Sequence, residues 1–183
     1  MFMIGDYSKY ALRGVIAGIM TGISLCFILM LTLPAVGDLV NYLLKYQLSK
    51  QLPPDKIEEI LKTVKPTIDT VLMIAPIAQI FEYLVFGSIF GILQGFYRLR
   101  LKLGELGSAL ASGITFMLTL GVLPLITMVL VFQDVFDMLA ARSEYLLIIL
   151  PLGQGIMFTA FLVLMSFNIK VFNRFVDAKP KET

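Results

Sequence analysis

The chain has 183 residues, of which 58% are hydrophobic and 15% are charged, and its formal net charge at pH 7 is +2. Soluble domains carry about 25% charged residues, and a globule of this length cannot bury so many apolar side chains. The composition therefore excludes a soluble domain and a disordered chain, and it predicts an integral membrane protein. The net charge is small and is divided between two faces, so we expect no nucleic-acid partner.

The apolar residues form continuous runs, a pattern that predicts helices crossing the lipid bilayer and excludes the alternating strands of a barrel. Three of these runs lack Asp, Glu, Lys and Arg, and a fourth is interrupted only by Glu82. We therefore predict an all-α integral membrane protein, a four-helix transmembrane bundle within a single membrane domain. The predicted spans are 12–36, 70–97, 105–133 and 145–170.

The first span carries three glycines at intervals of four residues, a pattern known as a glycine zipper. Residues four apart lie on one face of a helix, and small residues on that face let two helix backbones approach closely. The second span repeats the pattern, and the third carries small residues at the same interval. We predict helix packing at Gly14, Gly18, Gly22, Gly87, Gly91, Gly95, Gly107 and Ala111. Packing within one protein is the first interpretation, and homo-oligomerisation is the alternative.

The loop 38–69, between the first two spans, carries five lysines and five acidic residues. Apolar residues recur at helical spacing on both sides of Pro53-Pro54, which predicts two short amphipathic helices broken at 52–54. The second helix is expected to end near Pro66. We consider three roles for this loop: a cap over the outer end of the bundle, a helix on the membrane surface, or a docking face for a partner.

Glu82 is the only acidic residue in the interior of a predicted span, since Glu105 stands at the first position of the third span. A charged residue that faces lipid near the bilayer centre costs about 2.5–3.5 kcal/mol, so we expect Glu82 to face protein or water. Gln79 lies about one turn away, and Gln154 occupies the corresponding position of the fourth span. Glu82, Gln79 and Gln154 form a candidate ion or substrate path, with a structural hydrogen-bond cluster as the alternative. Gln94 is interpreted as a hydrogen-bonding group between helices.

Basic residues are concentrated near the N-terminus, in the short loop between the second and third spans, and near the C-terminus. They are Lys9, Arg13, Arg98, Arg100, Lys102, Lys170, Arg174, Lys179 and Lys181. Loops rich in Lys and Arg stay on the cytoplasmic side of a membrane. The pattern therefore predicts a multi-pass protein of the cell membrane with both termini in the cytoplasm.

The two halves of the chain resemble each other at two places. Residues 21–24 (Thr-Gly-Ile-Ser) resemble residues 112–115 (Ser-Gly-Ile-Thr), and residues 76–79 (Pro-Ile-Ala-Gln) resemble residues 151–154 (Pro-Leu-Gly-Gln). An internal repeat of a two-helix hairpin is one interpretation, as in transporters built from parallel repeats. Chance similarity within a small apolar alphabet is the other.

Residue types that enzymes use are scarce in this chain. It has no His and a single Cys, Cys26, which removes the usual ligands of haem, copper and catalytic zinc and the usual general base near neutral pH. Asp134 and Asp137 lie three residues apart, and we interpret them as a solvated helix end. We therefore expect no catalytic residue, no metal site and no cofactor.

Two functions from different classes fit these patterns. The first is a membrane protein without enzymatic activity that acts as a homo-oligomer, or as a subunit or scaffold of a membrane complex. The glycine zippers, the amphipathic loop and the scarcity of polar residues favour it. The alternative is a small transporter or channel with an outward-facing polar site around Glu82. In both cases the lipid bilayer and other membrane chains are the expected partners.

Overall fold

The computed structural model describes residues 4–167, except for the side chains of residues 4–6 and 142–147. Within this part of the chain every element is helical and no strand occurs, so the all-α prediction is confirmed. A π-helical segment, Met117–Val122, joins the third and fourth α-helices. The α-helices are α1 (Ile4–Ser49), α2 (Pro54–Leu99), α3 (Glu105–Phe116), α4 (Leu123–Val131) and α5 (Gln133–Ser166).

Four helical stretches are long and apolar enough to cross a membrane: Tyr7–Ser49, Pro54–Leu99, Glu105–Val131 and Ile148–Ser166. Large apolar side chains cover the outside of the bundle, and Leu31 is 84% exposed. Lipid is the solvent in which such a surface is stable, because the exposed side chains are as apolar as the lipid tails. By the length and composition of its helices, the prediction of a four-helix, multi-pass membrane bundle is confirmed.

The expected short amphipathic helices are absent from residues 38–69. These residues form extensions of α1 and α2, joined by a short turn at 50–53. Each of the two helices has 46 residues, which is about 69 Å at 1.5 Å per residue, whereas the hydrocarbon core of a bilayer is about 30 Å thick.

The expectation that the second helix ends near Pro66 is wrong. Helix α2 continues through Pro66 and Pro76, as α1 does through Pro34. A proline inside a helix removes one backbone hydrogen bond and costs about 3 kcal/mol. Packing of α1 along α2 offsets that cost, which the local sequence does not reveal.

Helices α1 and α2 form one antiparallel pair, and the α3–α4 run forms a second antiparallel pair with α5. Aromatic rings from α2, α3 and α5 fill the centre. Phe116 and Phe158 stack with ring centroids 4.2 Å apart, and Phe90 meets Phe116 edge-on at 5.0 Å. Such ring pairs add to the stabilisation from burial alone. The two helix pairs therefore share one apolar core.

Helix α5 lies close to the α3–α4 run at three glycines. A Cβ added at Gly121 would lie 2.8 Å from the Pro151 carbonyl oxygen, and one at Gly155 would lie 2.6 Å from the Met117 Cβ. A Cβ at Gly113 would overlap the Thr159 side chain. This second pair has shorter helices than the first and contains a π-helical segment. The internal duplication is therefore not shown and stays a prediction.

The bundle has two ends, named here by their connections. The hairpin end contains the α1–α2 turn at 50–53, and the loop end contains the α2–α3 loop at 100–104. At the hairpin end, Lys50 Nζ lies 3.6 Å from Asp134 Oδ2, which joins the turn to the start of α5. The basic residues Lys170, Arg174, Lys179 and Lys181, and the last part of the predicted span 145–170, lie outside the described residues.

Candidate functional site

Helices α1 and α2 touch backbone to backbone near the loop end. A Cβ added at Gly14 would lie 2.5 Å from the Gly91 Cα and would overlap the Gly87 carbonyl oxygen. A Cβ added at Gly18 would lie 3.0 Å from the Gly87 Cα and would overlap the Tyr83 carbonyl oxygen. Because these neighbours are backbone atoms, no side-chain rotation can make room for a larger residue.

The remaining predicted packing residues differ in their burial and in how closely they approach a neighbouring helix. Gly22 faces the Ile80 Cα, 2.9 Å from where its Cβ would lie, and Gly95 faces the rings of Tyr7 and Tyr10. Gly107 is exposed and Ala111 is half-buried. A Cβ added at Gly107 would meet only Leu103, at 3.8 Å.

The buried face of α3 is carried instead by Ser108 and Ser112, which share the same spacing of four. The Ser112 hydroxyl donates to the Phe90 carbonyl oxygen at 2.5 Å. The packing role expected for Gly107 therefore falls on the next residue, about 100° around the helix. The spacing of these two serines is the signal in the sequence that could have located this face.

A charged cluster, formed by Tyr10, Arg13, Arg98 and Glu105, joins three helices at the loop end. Buried Arg13 donates to Glu105 Oε2 at 2.9 Å, and the Tyr10 hydroxyl donates to Oε1 at 3.3 Å. Arg98 Nε lies 3.8 Å from Oε1 of the same carboxylate. The sequence indicated these arginines only as orientation signals. Their pairing with Glu105 could not be found, because Arg13 and Glu105 are 92 residues apart in the chain.

Gln154 forms a polar contact between three segments. Tyr83 on α2 donates its hydroxyl hydrogen to Gln154 Oε1, and Gln154 Nε2 donates to the Leu120 carbonyl oxygen at 3.1 Å. Pro124 lies four residues after Leu120 and has no backbone N–H, so that carbonyl lacks its usual α-helical donor. The amide of Gln154 takes the place of this donor. The position of Pro124 is therefore a signal in the sequence that could have pointed to this contact.

A cavity of about 230 Å³ adjoins Gln154, between α5 and the α3–α4 run. Most of its lining is apolar. The lining residues are Leu120, Pro124, Leu125, Met128, Leu150, Pro151 and Gln154. Neither Gln79 nor Glu82 lines it. The arrangement fits a packing defect beside the π-helical segment better than a polar route through the bundle.

The structure does not bring the three candidate path residues together. Gln79 is half-buried toward α1, where its backbone oxygen lies 3.5 Å from the position of a Gly22 Cβ. Its Oε1 is buried and has no hydrogen-bond partner among the described residues. Glu82 is exposed, whereas the adjacent Tyr83 faces inward to Gln154. Successive residues of a helix point about 100° apart, so Glu82 lies away from this contact.

Gln94 is fully buried on α2, and its Nε2 donates to the Ser166 hydroxyl on α5 at 3.1 Å. This contact is a hydrogen bond between helices, the role that the sequence indicated. Its Oε1 has no partner within residues 4–167. A single hydrogen bond of this kind stabilises a membrane bundle by about 0.6 kcal/mol on average.

Glu82 lies within an exposed apolar surface on α2. Ala78, Val85 and Ile89 share its face, because they follow at intervals of three or four residues, and all three are exposed. Along the helix axis Glu82 is about 24 Å from Arg98 and about 20 Å from Asp69, at 1.5 Å per residue. Among the residues that the structure describes, Glu82 forms no hydrogen bond or ion pair. The carboxyl group is therefore near the middle of an apolar belt, on its outside.

The extensions of α1 and α2 enclose two adjoining grooves at the hairpin end, with volumes of about 390 and 360 Å³. Both are lined by Asp38 and Asn41. The first also contains Lys45, Lys62 and Lys65, whereas the second contains Asp69. These charged side chains form no ion pair within the described part of the chain. The hairpin end therefore presents open polar surface between the same two helices that touch at the loop end.

No group of three or more His, Cys, Asp or Glu side chains that could hold a metal ion occurs among the residues described. Comparison of the chain with models of protein families, with curated proteins and with solved structures finds no match.

Proposed function

We propose that the protein is a membrane protein without enzymatic activity that works within a membrane assembly, as a subunit or scaffold. In this proposal it lies in the cell membrane with both termini in the cytoplasm. The observation that carries the proposal is the exposed carboxyl group of Glu82 in the middle of the apolar face of α2. A lone bundle gains nothing from a carboxyl group at this place.

The energetic argument concerns the surroundings of that group. Facing lipid, an acidic residue at this depth costs about 2.5–3.5 kcal/mol. A polar or charged group on a neighbouring membrane helix would offset this cost. The glycine faces of α1 and α2 are already in contact with each other. They therefore favour an assembly through the outer face of α2 over one built on the glycine zippers.

A small transporter or channel is the alternative function. It would require Glu82, Gln79 and Gln154 to line one path. Instead, Glu82 is exposed on the outside of α2, Gln79 is half-buried on the same helix, and Gln154 on α5 contacts Tyr83. Gln154 also has both ends of its amide engaged, by Tyr83 and by the Leu120 carbonyl. These contacts support the assembly over transport. Proteoliposomes in which Glu82→Gln abolishes a pH-dependent ion flux would reverse this preference.

Photocrosslinking in native membranes tests the assembly. The photoreactive residue p-benzoylphenylalanine would replace Phe81, which is 66% exposed beside Glu82. The matched control places it at Leu31 on α1. We expect a product of higher mass from position 81, at least fivefold above that from position 31. Glu82→Leu should reduce this product to the control level. Equal yields from both positions, or no product from position 81, would contradict the proposal.

A further inference from the structure

We propose that the partner on the Glu82 face is a membrane-spanning helix of a different protein that carries a Lys or Arg at the depth of Glu82. This inference rests on the proposed function, because it names the chemistry of the partner at the same surface. Three features support it: the shape of the face, the charge that the face requires, and the absence of that charge from the long apolar runs of the chain itself.

The face has the shape of a helix-binding stripe. Ala78, Glu82, Val85 and Ile89 follow one another at helical spacing along the outside of α2, and the large ring of Phe81 flanks them. Such a row of side chains forms a ridge that fits the groove of a second helix. The small side chain of Ala78 leaves room one turn from Glu82. A partner helix lying along this stripe would reach the carboxyl group directly.

A cation is the group that best complements this face. Ionisable side chains inside membranes pair with one another or face water. Hydrogen bonds between charged groups are about twice as strong as those between neutral groups. A Lys or Arg on the partner would neutralise the carboxylate and remove both charges from contact with lipid. Apolar side chains on the same partner would cover Val85 and Ile89.

A second copy of this chain cannot supply the cation. Residues 14–37, 70–97, 106–133 and 145–169 contain no Lys or Arg. A symmetric contact between two copies through this stripe would bring one Glu82 toward the other, because a two-fold interface pairs the same patch on both subunits. Two carboxylates at that distance repel each other. The face therefore indicates a hetero-oligomeric contact.

The test uses the full-length protein in bilayer nanodiscs and synthetic single-span peptides of Leu and Ala. One peptide carries a central Lys, and the matched peptide carries Leu at that position. The protein is labelled with a donor fluorophore at Gln51→Cys in the Cys26→Ser background, and the peptides carry an acceptor. Binding is measured by energy transfer. We expect the Lys peptide to bind at least tenfold more tightly than the Leu peptide.

Two variants show whether this preference depends on Glu82 and on its face. Glu82→Gln keeps a polar side chain and should reduce the preference below twofold. The double variant Glu82→Leu/Met30→Glu moves the carboxyl group to exposed Met30 on α1, about 26 Å from Arg13 along the helix and so at a similar depth. This variant should bind the Lys peptide at least fivefold more weakly than the unaltered protein.

Each remaining outcome overturns one specific statement. Equal binding of the two peptides would overturn the requirement for a cation. Full binding by the Met30→Glu variant would overturn the assignment to this face of α2. Energy transfer between two labelled copies that Glu82→Gln abolishes would identify a second copy as the partner. That last result would overturn the hetero-oligomeric contact but leave the proposed assembly intact, whereas the assembly itself fails if photocrosslinking at Phe81 yields no product.

Discussion

The two halves of the α1–α2 pair are packed in opposite ways. Near the loop end, Gly14 and Gly87 bring the helix backbones into contact, and the charges of Arg13 and Glu105 are paired. Near the hairpin end, longer side chains separate the same helices and line open grooves with charged groups. The difference teaches that a continuous helix pair can change from a rigid apolar contact to a polar surface. The side chains at the contact decide which of the two forms.

The largest expected effect comes from filling the backbone contact. Gly14→Ala places a Cβ against the Gly87 carbonyl oxygen, so α1 and α2 must separate. We expect a loss of about 3 kcal/mol in the free energy of unfolding, at the upper end of the cost of overpacking. The measurement is unfolding in SDS-containing mixed micelles, followed by the reactivity of the buried Cys26 thiol with a maleimide.

Gly37→Ala is the matched control in the open half. A Cβ at Gly37 would lie 3.5 Å from the Leu72 Cδ1, an ordinary van der Waals distance. Since Gly within a helix is less stable than Ala by about 0.5–1 kcal/mol, this variant should be slightly stabilised. Equal destabilisation by Gly14→Ala and Gly37→Ala would remove the distinction between the two halves.

The next largest effect is expected in the charged cluster. Glu105→Gln leaves the buried Arg13 guanidinium without its negative partner, although the amide oxygen still accepts one hydrogen bond. Because the Glu105 side chain is partly exposed, we expect a loss of about 1–2 kcal/mol, below the 3–5 typical of a fully buried pair. Unfolding in SDS measures it. Glu59→Gln on the exposed surface of α2 is the control, and a cost as large as that of Glu105→Gln would contradict the assignment.

Loss of the Gln154 contact should lower the free energy of unfolding by an intermediate amount, and this amount should depend on Pro124. Gln154→Leu leaves the Tyr83 hydroxyl and the Leu120 carbonyl without partners, at a cost of about 1–2 kcal/mol. In a Pro124→Ala background the new backbone N–H can donate toward residue 120, so Gln154→Leu should cost less than half as much. A double-mutant cycle of unfolding free energies measures this coupling. Identical costs in both backgrounds would show that Gln154 does not replace the missing donor.

The smallest effect is expected from the ion pair at the hairpin end. Lys50 and Asp134 are both well exposed, so Lys50→Met should cause no measurable change in stability. The pKa of Lys50 is raised above its usual 10.5, chiefly by the Tyr46 side chain. A lysine whose pKa is raised by folding stabilises the fold at every pH below its usual pKa. This stabilisation is lost as the pH rises through the raised pKa of the folded protein. Any difference between the unfolding curves of the two proteins should therefore be constant between pH 6 and 9 and, because both groups are exposed, too small to measure. A clear gap would show that the hairpin end is held as firmly as the loop end.

Much of the architecture could be predicted from local patterns. Continuous apolar runs located four helices, and the spacing of Gly14, Gly18 and Gly22 indicated the face of α1 that meets α2. The end expected near Pro66 was wrong, because α2 continues through that proline as one half of the antiparallel pair with α1. A local sequence pattern gives the conformational preference of a segment. It does not give the tertiary packing that can override this preference.

The candidate site shows the same limit more clearly. Glu82 and Gln154 were noticed because polar groups are rare in apolar spans, yet Gln154 contacts Tyr83, 71 residues away, and Glu82 faces outward. Pairs so distant in the chain leave no periodic signal. Only the arrangement of the helices reveals which polar groups meet.

The sequence by itself determined that this protein belongs in a membrane and that it is helical, because an apolar run long enough to cross a bilayer must satisfy its own backbone hydrogen bonds. Tertiary structure alone decided which polar side chains of α2 meet a partner and which face outward. Adjacent residues on a helix point about 100° apart, so the rotation of α2 against α1 and α5 turns Tyr83 inward and leaves Glu82 outside. That rotation follows from the glycine contacts between α1 and α2 together with the aromatic core of α2, α3 and α5.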